Sequence, residues 1–166
     1  MNFLIDKFGT WDASNVEEYF KAYAEYLETV RSSLPDSAFS FAAAPWHYQF
    51  QDHHCPHDGW VEHMKVWELA SGERKQHRQI QIDLRVLGAF HDGYLDLQYK
   101  NVRSYALSGQ PHGNHHGPTR LGHGDWLIDE VRLSENHLVL HEILYSDRGR
   151  WLIEASDILW EWKPLN

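Results

Sequence analysis

The chain is poor in cysteine and has no long apolar run. Its single cysteine, Cys55, excludes an internal disulfide, so a reducing compartment is the simpler expectation. The first residues carry no basic segment followed by an apolar stretch of signal-peptide length, and no run approaches the ~20 apolar residues of a membrane span. We therefore expect a cytoplasmic protein that does not enter a membrane.

Motifs of nucleotide and nucleophile chemistry are also missing. Neither the dinucleotide-binding fingerprint nor the phosphate-binding P-loop occurs, and there is no Gly-x-Ser-x-Gly elbow. Cys55 lies among histidines, but no residue that would orient a Cys–His pair is identifiable. The sequence therefore favours a non-enzymatic protein and implies no nucleotide cofactor.

Positive charge is scarce as well. Twenty-four acidic residues stand against fifteen basic ones, which gives a formal net charge of −9. This charge repels the phosphate backbone of nucleic acids and anionic lipid surfaces. It favours a basic protein partner, although an acidic surface also serves solubility alone.

Large rings are abundant: aromatic residues make up 14% of the chain, and eight of them are tryptophan. A chain of 166 residues is long enough to bury most of them in one core. No break in composition and no internal repeat divides the sequence. We expect a single domain over residues 1–166.

One N-terminal helix is the clearest element of the sequence. Ser14 and Glu17 have the spacing of a capping box, and Pro35 ends the pattern. Between them, apolar residues recur at steps of three and four: Val16, Tyr19, Phe20, Tyr23, Leu27, Val30 and Leu34.

The remainder alternates or turns in the manner of β-strands. Strands are predicted over residues 60–70, 80–90, 95–99, 102–107, 126–133, 138–146, 151–155 and 158–162, and residues 38–44 are predicted to be a short strand or extended segment. The fold class is therefore α+β, with the N-terminal helix packed on a mostly antiparallel, meander-like β-sheet.

Two turns set the expected strand register. Asp92-Gly93 is a strong two-residue hairpin signal, and Glu135-Asn136 is a weaker one. The second turn would place Glu130 opposite His141. The first would pair Phe90 with Leu95, Gly88 with Leu97 and Val86 with Tyr99, which matches apolar with apolar.

Histidine is the residue type most in excess, with thirteen copies. Neutral imidazole binds zinc, copper and nickel, so a divalent transition metal such as zinc, and a metal-dependent hydrolase built on it, is one hypothesis. No diagnostic ligand spacing supports it, and solvated loops or pH sensing are alternatives. The candidate ligands lie in two loops: His53, His54, His57, His112, His115, His116 and His123.

The C-terminal strand places Ile158, Trp160 and Trp162 on one face. Core packing explains this pattern, and an aromatic docking patch with an acidic rim is the alternative. The candidate partner-binding residues are Trp160, Trp162, Glu154, Asp157 and Glu161.

A series of short motifs runs from residue 57 to residue 162. It consists of His-Asp-Gly-Trp-Val, a hairpin, Leu-x-Leu-x-Tyr-x-Asn-Val, and a closing Ile-Glu-Ala-Ser-Asp-Ile-x-x-x-Trp. In this order the motifs resemble small uncharacterised bacterial α+β proteins, some of which are similar to immunity proteins of polymorphic toxin systems. The resemblance implies a bacterial, cytosolic, non-enzymatic protein that binds another protein, and it carries no catalytic residue to any position.

Overall fold

The computed structural model describes residues 2–10, 15–109, 122–146 and 148–165, which contain two α-helices, two 3-10 helices and eight strands. The strands are β1 Trp60–Ser71, β2 His77–Leu87, β3 Gly93–Val102, β4 Ser104–Leu107, β5 Trp126–Leu133, β6 Val139–Tyr145, β7 Arg150–Ala155 and β8 Asp157–Pro164. They form two antiparallel sheets with the orders β1-β2-β3-β8 and β4-β7-β6-β5. The α+β class with antiparallel sheets is confirmed.

The expected N-terminal helix is present as α1, Val16–Val30, and it follows a short 3-10 helix at Ile5–Thr10. Asn15 precedes α1 without a side-chain capping bond, and Ser14 lies outside the described residues. A second 3-10 turn, Arg31–Ser33, continues α1. No helix in the described parts of the chain is long and apolar enough to cross a membrane.

Residues 36–42 form a helix, α2 Asp36–Ala42, so the extended segment predicted for this region is wrong. Ala38, Phe41 and Ala42 are its buried residues, and they recur at the three- and four-residue steps of a helix. The segment is too short for its sequence pattern alone to distinguish a strand from a helix. In the structure α2 packs on β8, and this contact buries the apolar face of the helix.

The two sheets are joined by continuous strands. β3 passes into β4 across one residue, and β7 passes into β8 across one residue. Two backbone hydrogen bonds of 2.8 Å carry the ladder across this bend, from Arg103 N–H to the Glu154 carbonyl and from Ser156 N–H to the Lys100 carbonyl. Both sheets contribute to one hydrophobic core, whose largest fully buried side chains are Trp126, Trp151, Tyr23, Tyr99, Tyr145 and Phe41.

The β2–β3 hairpin exists, but its predicted register is wrong by four residues. Val86 pairs with Leu95, and the connection spans residues 88–92, closed by a 3.0 Å hydrogen bond from Gly88 N–H to the Gly93 carbonyl. His91, at φ +57°, takes the left-handed conformation expected of the Asp-Gly pair. Because the error is an even number of residues, the same side chains still face the core.

The β5–β6 turn is also longer than predicted. A 2.8 Å hydrogen bond from Ser134 N–H to the Leu138 carbonyl encloses the loop, and His137 has φ +57°. Glu130 consequently pairs with Glu142, and His141 pairs with Val131. The predicted Glu130–His141 pair is therefore wrong.

Candidate functional site

A buried carboxylate on β5 gathers four other side chains around it. Asp129 accepts hydrogen bonds from Nε2 of His47 at 3.0 Å, Nε2 of His141 at 2.9 Å and Nε1 of Trp126 at 3.0 Å. His141 in turn contacts the Tyr99 hydroxyl through Nδ1 at 2.8 Å. All five residues are at most 1% exposed: His47, Tyr99, Trp126, Asp129 and His141.

The protonation of this network follows from its donors and acceptors. Burial by itself raises the pKa of Asp129, but the adjacent His47 and the hydrogen bonds from both histidines hold that pKa well below its usual range. The carboxylate is therefore ionised, and the imidazoles donate to it. The side chains of the network are all buried, and their hydrogen bonds join β5 to β6, to β3 and to the segment after α2.

His47 connects the network to the segment after α2. Its Nδ1 donates to the Phe41 carbonyl at 2.8 Å, and its own carbonyl accepts the Cys55 thiol at 3.0 Å. Burial raises the pKa of Cys55 to about 12, which leaves the thiol unreactive as a nucleophile. Residues 42–49 are thereby held against β5 and the loop that follows.

A groove of about 630 Å³ lies between α1 and residues 42–49. The α1 wall presents Phe20 and Ala24, and the opposite wall presents small side chains from residues 42–45. Glu17, Glu25 and Glu28 stand along the α1 side. A volume of this size is typical of binding sites for ligands and peptide side chains.

The groove carries one sign of charge. Of the described residues that line it, three are glutamates and none is lysine, arginine or histidine. Lys21 approaches Glu25 at 3.9 Å from outside the groove, but both side chains are largely exposed, so this pair is worth little. An apolar floor beneath three exposed carboxylates suits a ligand with an apolar face and cationic groups.

Three tyrosine hydroxyls, two from α1 and one from the opposite wall, fix the groove to the edge of β5. Tyr23 both receives the Val131 N–H at 2.7 Å and donates to the Val131 carbonyl at 2.9 Å, while Tyr26 receives the Leu133 N–H at 2.9 Å. Tyr48, from the opposite wall, donates to the Asp129 carbonyl at 3.0 Å. Burial raises the pKa of Tyr23 and Tyr48 well above the usual range, so both remain phenols.

The histidines proposed as metal ligands have separate partners. His53 bonds to Asp92, His54 contacts Asp52 at 2.8 Å, and His57 donates to the Leu127 carbonyl at 2.7 Å. His123 packs on Trp151, with ring centroids 4.9 Å apart. Among the described residues, no group of three or more His, Cys, Asp or Glu could hold a metal ion. His112, His115 and His116 lie outside the described residues, so a site that includes them stays a prediction.

The tail residues proposed for partner binding are distributed over both sheets. Trp160 and Trp162 are half-buried: Trp160 donates to the Ser40 hydroxyl at 3.0 Å, and the Trp162 ring lies 4.9 Å from that of His54. The three carboxylates do not share one surface environment. Glu154 is buried beside Ser104 and Asn136, Asp157 accepts from Ser37 at 2.6 Å, and exposed Glu161 contacts Lys163 at 3.2 Å.

Sequence reasoning missed the groove and the buried network. His47 and Asp129 are 82 residues apart, so no local motif joins them. The groove did leave a signal, because Glu17, Ala24 and Glu28 are spaced by seven and four residues and therefore share one helix face. That signal gains meaning only once the opposite wall is known to be helix α2 and the segment after it.

The molecule is an α+β protein of two joined antiparallel sheets with an acidic groove on its helical side. Neither a family model, nor a curated protein, nor a solved structure matches the chain.

Proposed function

We propose that the chain is a cytoplasmic, non-enzymatic binding domain whose acidic groove holds a basic, amphipathic segment of a partner protein. The observation that carries this proposal is the charge of the groove: three glutamates border about 630 Å³ of largely apolar space, and none of the described side chains that line it is cationic. A role like that of an immunity protein, which acts by occupying its partner, is one form of this function.

The two parts of the groove would contribute differently to binding. Phe20, Ala24 and the small residues of the opposite wall offer apolar area, the main source of affinity when an amphipathic helix enters a groove. The glutamates would pair with lysine or arginine near the rim, where charge pairs raise the association rate and select the partner more than they add affinity. A basic segment without an apolar face should accordingly bind weakly.

The rigidity of the walls supports a preformed site. α1 is fixed through Tyr23 and Tyr26, and the opposite wall is fixed through His47 and Tyr48. A preformed groove loses little conformational entropy on binding, so more of the contact energy appears as affinity.

The test is calorimetric titration with a helical peptide built from leucine and lysine heptads. We expect Glu25→Lys/Glu28→Lys to weaken binding by about tenfold, because two attractive charges become repulsive. The matched control is Glu73→Lys/Glu135→Lys, which makes the same change in net charge at two exposed glutamates outside the groove and should change affinity by less than about twofold. Equal effects of the two variants would refute a binding site in the groove.

A second variant separates shape from charge. Ala24 is an exposed residue of α1 that lines the groove, so Ala24→Phe fills the space without altering the net charge. Binding of the same peptide should fall by about tenfold while the melting temperature stays near that of the wild type. Unchanged affinity would show that the peptide binds elsewhere.

A further inference from the structure

Three exposed aromatic side chains lie at one end of the molecule, and each is stacked on an imidazole. The loop of residues 46–59, the start of β1 and the β2–β3 turn meet there. We call this surface the aromatic–imidazole end, defined by Phe50, His53, His57, Trp60, Phe90 and His91. The ring centroids are 4.0 Å apart for Phe50 and His57, 4.1 Å for His53 and Phe90, and 5.0 Å for Trp60 and His91.

The rings are both held and accessible. Their planes lie within 24° of the stacked imidazoles, and the imidazoles of His53 and His57 are fixed by Asp92 and by the Leu127 carbonyl. Phe50, Trp60 and Phe90 nevertheless remain 39%, 44% and 45% exposed. A cluster of large apolar rings left open to solvent marks an interaction surface more often than a single exposed residue does.

The charge around these rings is negative. Asp92 contacts the stacked His53, Asp58 lies 3.5 Å from the stacked His57, and Asp52 contacts His54, the residue after His53. Each of the three carboxylates is about half exposed. Residues 45–60 and 88–94, which build this end, contain no lysine or arginine. The surface therefore combines flat aromatic faces with half-exposed carboxylates, and these two segments contribute no lysine or arginine to it.

We propose that the aromatic–imidazole end binds an arginine-bearing segment of a partner protein. A guanidinium group is planar and weakly hydrated, so it stacks on an aromatic ring while its N–H groups bond to a carboxylate in two-point geometry. A lysine ammonium is a compact, strongly hydrated charge and uses such a surface less well. This surface shares no side chain with the acidic groove, so it goes beyond the proposed function of that groove.

The test is a titration followed by amide NMR shifts, with an end-blocked peptide of alternating glycine and arginine as the probe. We expect shifts for residues 50–60 and 88–92. The same peptide with lysine in place of arginine should bind about fivefold more weakly, because it loses ring stacking and two-point bonding. Equal affinity of the two peptides would refute recognition of the guanidinium group.

The decisive variant removes rings and keeps charge. Phe50→Leu/Trp60→Leu/Phe90→Leu retains apolar area and should abolish the preference for arginine over lysine. Tyr105→Leu on β4 paired with Leu152→Ser on β7 is the matched control, because these residues are 44% and 37% exposed on the other sheet, and it should leave the preference intact. Retained preference in the ring variant would overturn the proposal.

The groove variant distinguishes the two sites. Glu25→Lys/Glu28→Lys should leave the shifts of residues 50–60 and 88–92 in place, whether or not the groove binds its own ligand. If those shifts disappear in this variant while the ring variant retains them, the arginine peptide is a groove ligand and the aromatic–imidazole end is not a binding site.

Discussion

At the scale of single residues, Asp129 joins elements that lie far apart in the sequence. It receives donors from the segment after α2, from β6 and from its own strand. Removing one partner of a buried charge-paired network leaves the others without compensation, which costs more than the net worth of the network itself. Substitutions here therefore report on the network directly.

Asp129→Asn should destabilise the protein by about 3–5 kcal/mol at pH 7. The neutral amide removes the negative charge and places an N–H group against side chains that donate to the carboxylate in the wild type. Urea unfolding measures this difference. The exposed Asp58 provides the control: Asp58→Asn should cost less than about 0.5 kcal/mol, since Asn tolerates its φ of +61°.

The pH dependence of the same variant has a definite sign. The pKa of Asp129 is lowered in the folded state, so its ionisation stabilises the fold above the unfolded pKa of about 4. That contribution is lost as the pH falls from about 4 toward the lower folded value. The gap between the wild type and Asp129→Asn should therefore narrow below about pH 4, and a gap that stays constant down to pH 2 would contradict this account.

The hydroxyl of Tyr23 gives a second residue-scale prediction. Tyr23→Phe leaves the N–H and the carbonyl of Val131 without their partner in a buried place, which should cost about 1–3 kcal/mol. Hydrogen exchange of the Val131 amide should accelerate at the same time. Tyr105→Phe, at an exposed position, should alter neither quantity, and an unchanged Val131 exchange rate in Tyr23→Phe would show that the hydroxyl does not protect that edge.

At the scale of elements, the β2–β3 turn shows what the sequence can predict and what it cannot. Alternation over residues 80–87 correctly identified the strand and its buried face, because the period of two is a property of the strand alone. The length of the turn depends on contacts with distant residues: Phe90 and His91 leave the ladder and stack on His53 and Trp60. No pattern within the hairpin records those partners.

Gly93 has a different role from the one its turn motif suggested. A Cβ atom at this position would lie 2.2 Å from Cζ2 of Trp162, whereas the left-handed residue of the turn is His91. The glycine is therefore needed because a tryptophan ring lies against it. The same ring approaches Gly88, where a Cβ would lie 2.7 Å from Cη2 of Trp162.

Gly93→Ala should destabilise the protein by about 1–3 kcal/mol through this overlap. Thermal or urea unfolding measures the loss, and Gly9→Ala, with nothing within 4 Å of its Cβ, serves as the control. In a Trp162→Ala background the cost of Gly93→Ala should largely vanish, since the two residues are in direct contact. An equal cost in both backgrounds would mean that backbone conformation, not the ring, demands glycine.

At the scale of the whole molecule, the continuous strands make the two sheets interdependent. β3 with β4 and β7 with β8 each contribute to both sheets, and side chains from both sheets share one core. We therefore expect that unfolding of one sheet loosens the two strands that continue into the other sheet and exposes the shared core. The sequence indicated the number of strands here, but not the bend, which arises from one-residue breaks that have no turn signal.

Calorimetry tests this interdependence and, with it, the expectation of a single domain. We expect one thermal transition whose calorimetric and van 't Hoff enthalpies agree, as for small cooperative domains. Two resolved transitions, or a van 't Hoff enthalpy near half the calorimetric one, would show that the sheets unfold separately.

The sulfhydryl of Cys55 offers a further consequence for experiment. The thiol is buried and donates to the carbonyl of His47, in the segment that forms the second wall of the groove. Its pKa of about 12 keeps it protonated at the pH of ordinary alkylation. A maleimide or an aromatic disulfide can therefore modify the thiol only when this segment opens and exposes it. The half-time of labelling therefore measures how often residues 42–55 detach from the rest of the protein. A ligand bound in the groove should slow the labelling, and no engineered probe is needed to observe this.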